Sequence, residues 1–389
     1  MKPITLCGLA LAAAHATPIY AVENTAQHAL DGDGDDELGT LPAAAAVPVA
    51  LFASLERYAR IVDVAYCVGT TGTGIDPPFS CASRCGEFPE LRLVTTWNTG
   101  VLMHDSCGYI AVDDAAREIV VAFRGTYSIA NTVADLSTIP QKYVPYPGGG
   151  GDDDDDDDDG PTCTNCTVHM GFLASWESTR DIILPTIINM RNASLSSSSS
   201  SSSPSPPYRV HLVGHSLGGA VAALAGLEMK AALGWADVVA TTFGEPRVGN
   251  AGLARFVEDV FGLDTNHTTA ADAAYRRVTH KNDPVPLLPL DEWGYRSHAG
   301  EIFISKGSLS PAPSDVRACR GRHDSKCIDG GDVDDPTDPG GGGFFPPRLK
   351  LWELFYAHRD YFWRLGLCVP GGDPADWGRE RYNYTDSGV

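Results

Sequence analysis

The 389 residues are 43% hydrophobic and 20% charged, enough apolar chain for one large core or two modest ones. A formal charge of −21 at pH 7 excludes a phosphate-neutralising, nucleic-acid-binding surface. Much of that charge lies in the run Asp152–Asp159, which reads as a solvated, self-repelling loop rather than a metal site.

In chain order, residues 1–21 come first, with Lys2, an apolar stretch from Ile4 to Ala14 and the small-x-small triplet Ala14-His15-Ala16. This pattern predicts a secretory signal peptide cleaved after Ala16 or Ala21, too short to span a bilayer. No other uncharged run approaches the roughly 18 residues a transmembrane anchor needs, so an exported, extracellular protein is expected. Residues 22–47, acidic and alanine-rich, read as a propeptide or disordered arm. The folded domain is expected over 48–369, with 370–389 as a C-terminal tail. Low-complexity surface insertions are expected near 148–160, 194–207 and 329–347.

Within the domain, Leu51, Leu55, Tyr58 and Val62 recur at helical spacing and predict a helix over Val49–Tyr66. Strands are predicted at Glu118–Phe123, Arg209–Val213, Val238–Phe243 and Tyr275–Thr279, and helices at Phe172–Arg191, Gly219–Ala232 and Ala251–Phe261. Strands alternating with helices imply a mainly parallel sheet covered on both faces, hence an α/β fold.

One turn stands out in that frame. The strand Arg209–Val213 runs into Gly214-His215-Ser216-Leu217-Gly218, and a helix-forming run follows at once. With 41 glycines in the chain the bare G-x-S-x-G is weak, but its place between strand and helix is what a nucleophilic serine requires. The sharp turn lifts the hydroxyl above the sheet, side chains two residues to either side would collide, and the helix amino terminus offers N–H groups to an oxyanion. A nucleophilic serine needs a base and an orienting carboxylate, in the order serine, acid, histidine. Asp283, after the strand Tyr275–Thr279, fits the acid, although a turn aspartate before Pro284 fits the spacing equally. His298, His323 and His358 follow it. His323 lies in the Cys319–Cys327 loop and is the weakest candidate, whereas composition does not separate His298 from His358. His215 precedes the acid and is expected to pack or bond locally.

Ten cysteines in an exported chain predict disulfides, and nine remain once Cys7 leaves with the signal peptide. Short spacing suggests Cys81–Cys85, Cys163–Cys166 and Cys319–Cys327, leaving Cys67, Cys107 and Cys368. Sequons at Asn165, Asn192, Asn266 and Asn383 fit a secreted glycoprotein, with Cys166 inside the first disfavouring its use.

The segments "VAFRGTYSIANTVADL", "CTNCTVHMGF", "HLVGHSLGGA", "TTFGEPRVGN", "VTHKNDPVPLLP" and "AHRDYFWRLGLC" occur in the order seen in fungal class 3 lipases, the triacylglycerol lipase and feruloyl esterase family of filamentous fungi. The resemblance spans about Val49 to Cys368. It implies a single-domain α/β-hydrolase fold with a short helical lid, Ser216 as nucleophile, Asp283 as acid and His358 as base, with His298 at a non-catalytic position. It also implies an oxyanion hole from the Leu217 N–H and from the N–H and hydroxyl of Thr126. Its first-to-last cysteine pairing maps to Cys67–Cys368 and leaves Cys107 outside the pairs. The implied activity is triacylglycerol hydrolysis through an acyl-enzyme, with no metal or organic cofactor. Feruloyl or other soluble-ester hydrolysis, phospholipase A activity, serine peptidase activity and an inactive binding role are the alternatives. The implied partner is an acylglycerol or other ester at a lipid–water interface, met by a monomer.

Between Tyr127 and Leu136, Ser128 can cap a short helix on which Ile129, Val133 and Leu136 form one apolar face. A docked surface helix would show the same pattern; in the resembled lipases this segment is the lid. Thr132 stands where many of them carry tryptophan, which predicts a weakened grip on lipid.

Overall fold

The structure, a computed structural model, describes residues 46–69, 73–100, 106–126, 140–142, 163–196, 206–263, 270–328, 356–379 and Tyr382. The signal peptide, the 22–45 part of the arm, the aspartate run, the 329–347 insertion, the lid residues Ile129, Val133 and Leu136, and the sequons at Asn266 and Asn383 lie outside those residues.

The first helix, α1, covers Val49–Val64 and buries Leu51, Phe52, Leu55, Tyr58 and Val62, the face its spacing predicts. It tightens into a single 3₁₀ turn at Ala65–Cys67, so the α-helix stops two residues before Tyr66. Three strands follow, Leu91–Asn98 (β1), Cys107–Asp113 (β2) and Glu118–Phe123 (β3). Next come α2 (Met170–Ser196), β4 (Arg209–His215) and α3 (Leu217–Leu227), whose end widens into a π turn at Glu228–Ala232. Then come β5 (Val238–Phe243), α4 (Ala251–Phe261), β6 (Tyr275–His280), β7 (Glu301–Ile304) and β8 (Val316–Ala318). Asn250 caps α4 by accepting the Leu253 N–H at 3.0 Å.

The eight strands form one sheet in the order β8-β7-β6-β5-β4-β3-β2-β1. From β3 to β7 every neighbouring pair is parallel. The two edges are antiparallel, through β1–β2–β3 on one side and β7–β8 on the other. The predicted strands are thus the central ones, and β1, β2, β7 and β8 are additions found only in the structure.

Both faces of the sheet are covered, and successive strand residues enter different cores. Ile110, Val112, Ile119 and Val121 pack with α2, α3 and α4, while Tyr109, Ala111, Val120 and Ala122 pack with α1 and the carboxyl-terminal residues Tyr361–Leu365. Each fully buried valine or isoleucine among them contributes about 1.5–3 kcal/mol relative to exposure. The second core explains why the C-terminal chain stays on the domain. Residues 370–379, set apart above as the start of a tail, include the buried Asp373 and Asp376.

All four predicted disulfides form, and Cys67–Cys368 joins residues 301 apart in sequence. Cys107 stays outside them, buried beneath Arg124, whose guanidinium donates to its sulfur at 3.0 Å. Among the sequons, Asn165 and Asn192 are exposed.

Candidate active site

The site forms where β4 hands over to α3. Ser216 occupies the residue before α3 with φ 56° and ψ −129°, a left-handed strain that a non-glycine residue accepts only when its surroundings enforce it. Those surroundings are bare backbone. A Cβ on Gly214 would come within 2.2 Å of the Gly218 carbonyl oxygen, and one on Gly218 within 2.4 Å of the Phe123 carbonyl oxygen. The predicted collision two residues to either side of the serine is therefore what the packing contains. The Ser216 N–H donates to Phe243 O at 2.9 Å, which fastens the turn to the end of β5.

Asp283 and His358 come together although 75 residues separate them. The His358 Nδ1 lies 3.0 and 2.9 Å from the two Asp283 oxygens, with both side chains buried. Asp283 also accepts the Val285 N–H at 2.9 Å, so it serves as turn aspartate and histidine partner at once. A third bond comes from the Tyr361 hydroxyl to Oδ2. Burial alone would push the Asp283 carboxyl up, but His358, Tyr361 and the Val285 N–H outweigh it and hold the group below its ordinary value.

Ser216 and His358 are linked through adjacent residues at the end of β5. Phe243 accepts the serine N–H, and Gly244, at φ 59°, has its Cβ position 2.9 Å from the His358 ring and 3.0 Å from Asp283. Any side chain there would displace the pair. The Ser216 hydroxyl and the His358 Nε2 are both buried, and neither has a hydrogen-bond partner among the described residues.

His215, expected to pack or bond locally, is buried and packed, and its hydrogen bonds reach distant segments of the chain. Its Nδ1 meets the Tyr66 hydroxyl at 2.5 Å and its Nε2 the His358 carbonyl oxygen at 2.8 Å. A carbonyl only accepts, so Nε2 carries the proton and Nδ1 accepts from Tyr66. Burial, reinforced by the nearby His358, pushes this imidazole down to about 3 and keeps it neutral. The Tyr66 hydroxyl in turn accepts the Gly125 N–H, and Thr126, the residue expected to supply the oxyanion hole, follows directly. Leu217, the other expected donor, is the first residue of α3, where a helical N–H has no partner within the helix.

His298, which composition did not separate from His358, lies elsewhere. Its Nε2 meets Glu245 at 3.1 Å and its Nδ1 the Ala299 carbonyl at 2.6 Å, within a buried group that includes Tyr275. His323 is exposed. The residues that sequence reasoning did not reach are Tyr66, Gly244 and Tyr361. Only Tyr361 had a usable signal, its spacing of three residues after His358.

A parallel-centred sheet, covered by helices on both faces and carrying a strained serine between strand and helix, defines an α/β-hydrolase. The sequence pattern of the family described as Lipase (class 3) matches residues 120–293. The chain is similar to a "Secreted mono- and diacylglycerol lipase 2" of Gibberella zeae, 53% identical over 375 residues and covering 88% of each chain. It is also similar to "Lipase A" of Sodiomyces alcalophilus, 51% identical over 370 residues and covering 86% of each. Among solved structures it resembles the Lip2 lipase of Yarrowia lipolytica, with a TM-score of 0.67, 28% identity, and 83% of this chain matched to 97% of that one. The chain belongs to the class 3 lipases, as the ordered motifs implied, and is a secreted carboxylic-ester hydrolase. Among the described residues, no helix is long and apolar enough to cross a membrane.

Proposed function

We propose that the protein hydrolyses acylglycerols through an acyl-enzyme on Ser216, with His358 as general base and Asp283 as its orienting carboxylate. The observation that carries this reading is the His358 ring, gripped at Nδ1 by both Asp283 oxygens while Nε2 and the Ser216 hydroxyl stay buried without a described partner. In the reaction, Nε2 takes the serine proton as Oγ attacks the ester carbonyl. Asp283 holds the tautomer with the proton on Nδ1 and stabilises the imidazolium. The Leu217 N–H and the N–H and hydroxyl of Thr126 receive the oxyanion, and His358 then protonates the departing glycerol oxygen. Water, activated by the same histidine, releases the fatty acid. No step calls on a metal or organic cofactor.

Partial glycerides are the favoured substrates, with triacylglycerols also hydrolysed. This rests on the mono- and diacylglycerol lipase of Gibberella zeae, 53% identical. The test is initial rates on emulsified tri-, di- and monoacylglycerols, a phospholipid and a feruloyl ester, with the Ser216→Ala protein as blank. Faster release from di- and monoacylglycerols is expected. Preference for the feruloyl ester or the phospholipid would replace this substrate assignment.

A further inference from the structure

The protein contains a buried ionic cluster that the proposed chemistry does not use. Arg84, in the short loop closed by Cys81–Cys85, places its Nε 3.2 Å from Asp63 on α1 and its NH2 2.7 Å from Asp376 near the carboxyl terminus. All three side chains are at least 97% buried. The guanidinium also lies over the Trp363 ring at 4.7 Å and approaches Glu87 at 3.5 Å. The chain makes room for it with Gly372, at φ 80°, where a Cβ would sit 2.3 Å from NH2.

Both carboxylates reach past Arg84 to the backbone of one segment. Asp63 accepts the Gly366 N–H at 2.8 Å, and Asp376 accepts the Arg364 N–H at 3.1 Å. That segment is the small hairpin in which Asp360 pairs with Arg364 and Tyr361 with Trp363, starting two residues after His358, with Gly366 two residues beyond its end. Tyr361 bonds to Asp283 from within it. Trp363 is further tied to Glu56 of α1 at 3.2 Å, and Arg359, next to His358, to Asp373 at 2.7 Å.

Asp376 also pairs with Arg379 at 3.0 Å. Even so, removing these carboxylates from water is a poor source of stability, because desolvation consumes most of the attraction. Burial indeed pushes the Asp63 carboxyl up to about 6, against the pull of Arg84. What a planar, forked cation between two anions supplies well is fixed geometry.

We propose that Arg84 is a positioning residue for the catalytic pair, joining Asp63 to Asp376 so that the hairpin holds Tyr361 on Asp283 and His358 in register. The proposal rests on the assignment of His358 and Asp283 given above. Misplacing a catalytic group by about 1 Å can cost about 100-fold in rate, so a smaller shift is enough for a loss of about tenfold.

The test measures kcat and KM on a soluble p-nitrophenyl ester for Arg84→Gln and Asp376→Asn, normalised to active sites titrated with a phosphonate. The asparagine keeps an oxygen for the Arg364 N–H while removing the charge, and is the milder change. Both variants should lose about tenfold in kcat per titrated site with KM within twofold, and Arg84→Lys, lacking the fork, should not restore it. Unchanged kcat per site with a lowered Tm, or failure of both variants to fold, assigns the cluster to stability alone and overturns the proposal. The His358→Ala protein, measured alongside, reports separately on the underlying assignment, which falls if that variant stays active.

Discussion

The His215 Nε2 lies 2.8 Å from the carbonyl oxygen of His358, so the histidine beside the serine holds the backbone of the proposed base. Through Tyr66 the same ring reaches Gly125, beside the proposed oxyanion donor Thr126 in the loop after β3. One neutral imidazole therefore ties together the three loops on which the proposed reaction depends, and several expectations can be measured.

Replacement of His358 by alanine should lower kcat by about four orders of magnitude, as loss of a triad member does elsewhere. His298→Ala should retain most of its activity per folded molecule, because its partners are Glu245 and the Ala299 carbonyl. Equal losses in two variants with native circular dichroism would reverse the assignment.

Acid should destabilise the fold below neutrality. His211, His215 and His280 are all pushed down by burial, so the unfolded chain takes up protons at higher pH than the folded one. Their contribution is complete above about pH 6.5, the ordinary histidine value, and is lost as pH falls, for His215 down to about 3. Each fully linked histidine contributes about 1.4 kcal/mol per pH unit. Asp63, raised to about 6, works the other way, its contribution being present at lower pH and lost as pH rises through that value. The histidines should prevail, with urea-unfolding free energy lower at pH 4.5 than at pH 7 and a shallower dependence in His215→Gln. A protein more stable at pH 4.5 would show that the carboxyls raised on folding, such as Asp63, dominate.

The Cys67–Cys368 bridge closes a loop of 301 residues. Chain entropy assigns such a loop on the order of 5 kcal/mol. The double serine variant should melt well below the parent in calorimetry and lose activity as the segment bearing His358 loosens. An unchanged Tm would show that the second core alone retains this segment.

Rate should respond modestly to a lipid surface. The segment Tyr127–Leu136, with Ile129, Val133 and Leu136 on one predicted face, is proposed as a lid driven by apolar area at about 25 cal/mol per Å². Thr132 in place of a tryptophan should limit its hold on lipid. Raising a short-chain triacylglycerol through its solubility limit should give a small step in rate, reduced in Ile129→Asp. Smooth saturation, with no hydrolysis of emulsified long-chain glycerides, would argue for a soluble-ester enzyme.

Local periodicity and short-range sterics made part of the fold and of the candidate site readable along the chain. The central strands are almost wholly buried and read as short runs rich in apolar and β-branched residues, as in Glu118–Phe123 and Val238–Phe243, so their place in the sheet was legible. The serine turn was legible because Gly214 and Gly218 answer a collision within five residues of chain. The short strands Glu301–Ile304 and Val316–Ala318 were not, since so few residues carry too little pattern to distinguish a strand from a loop. Composition left His298 and His358 equivalent, and only motif resemblance separated them before the coordinates did. The tertiary structure decided what depends on contacts between distant segments. Tyr361 meets Asp283 from 78 residues away, Tyr66 meets His215 from 149, and Arg84 meets Asp376 from 292. No local pattern encodes such meetings, because each depends on how the sheet twists and which core receives each segment, and that is fixed only when the whole chain is packed.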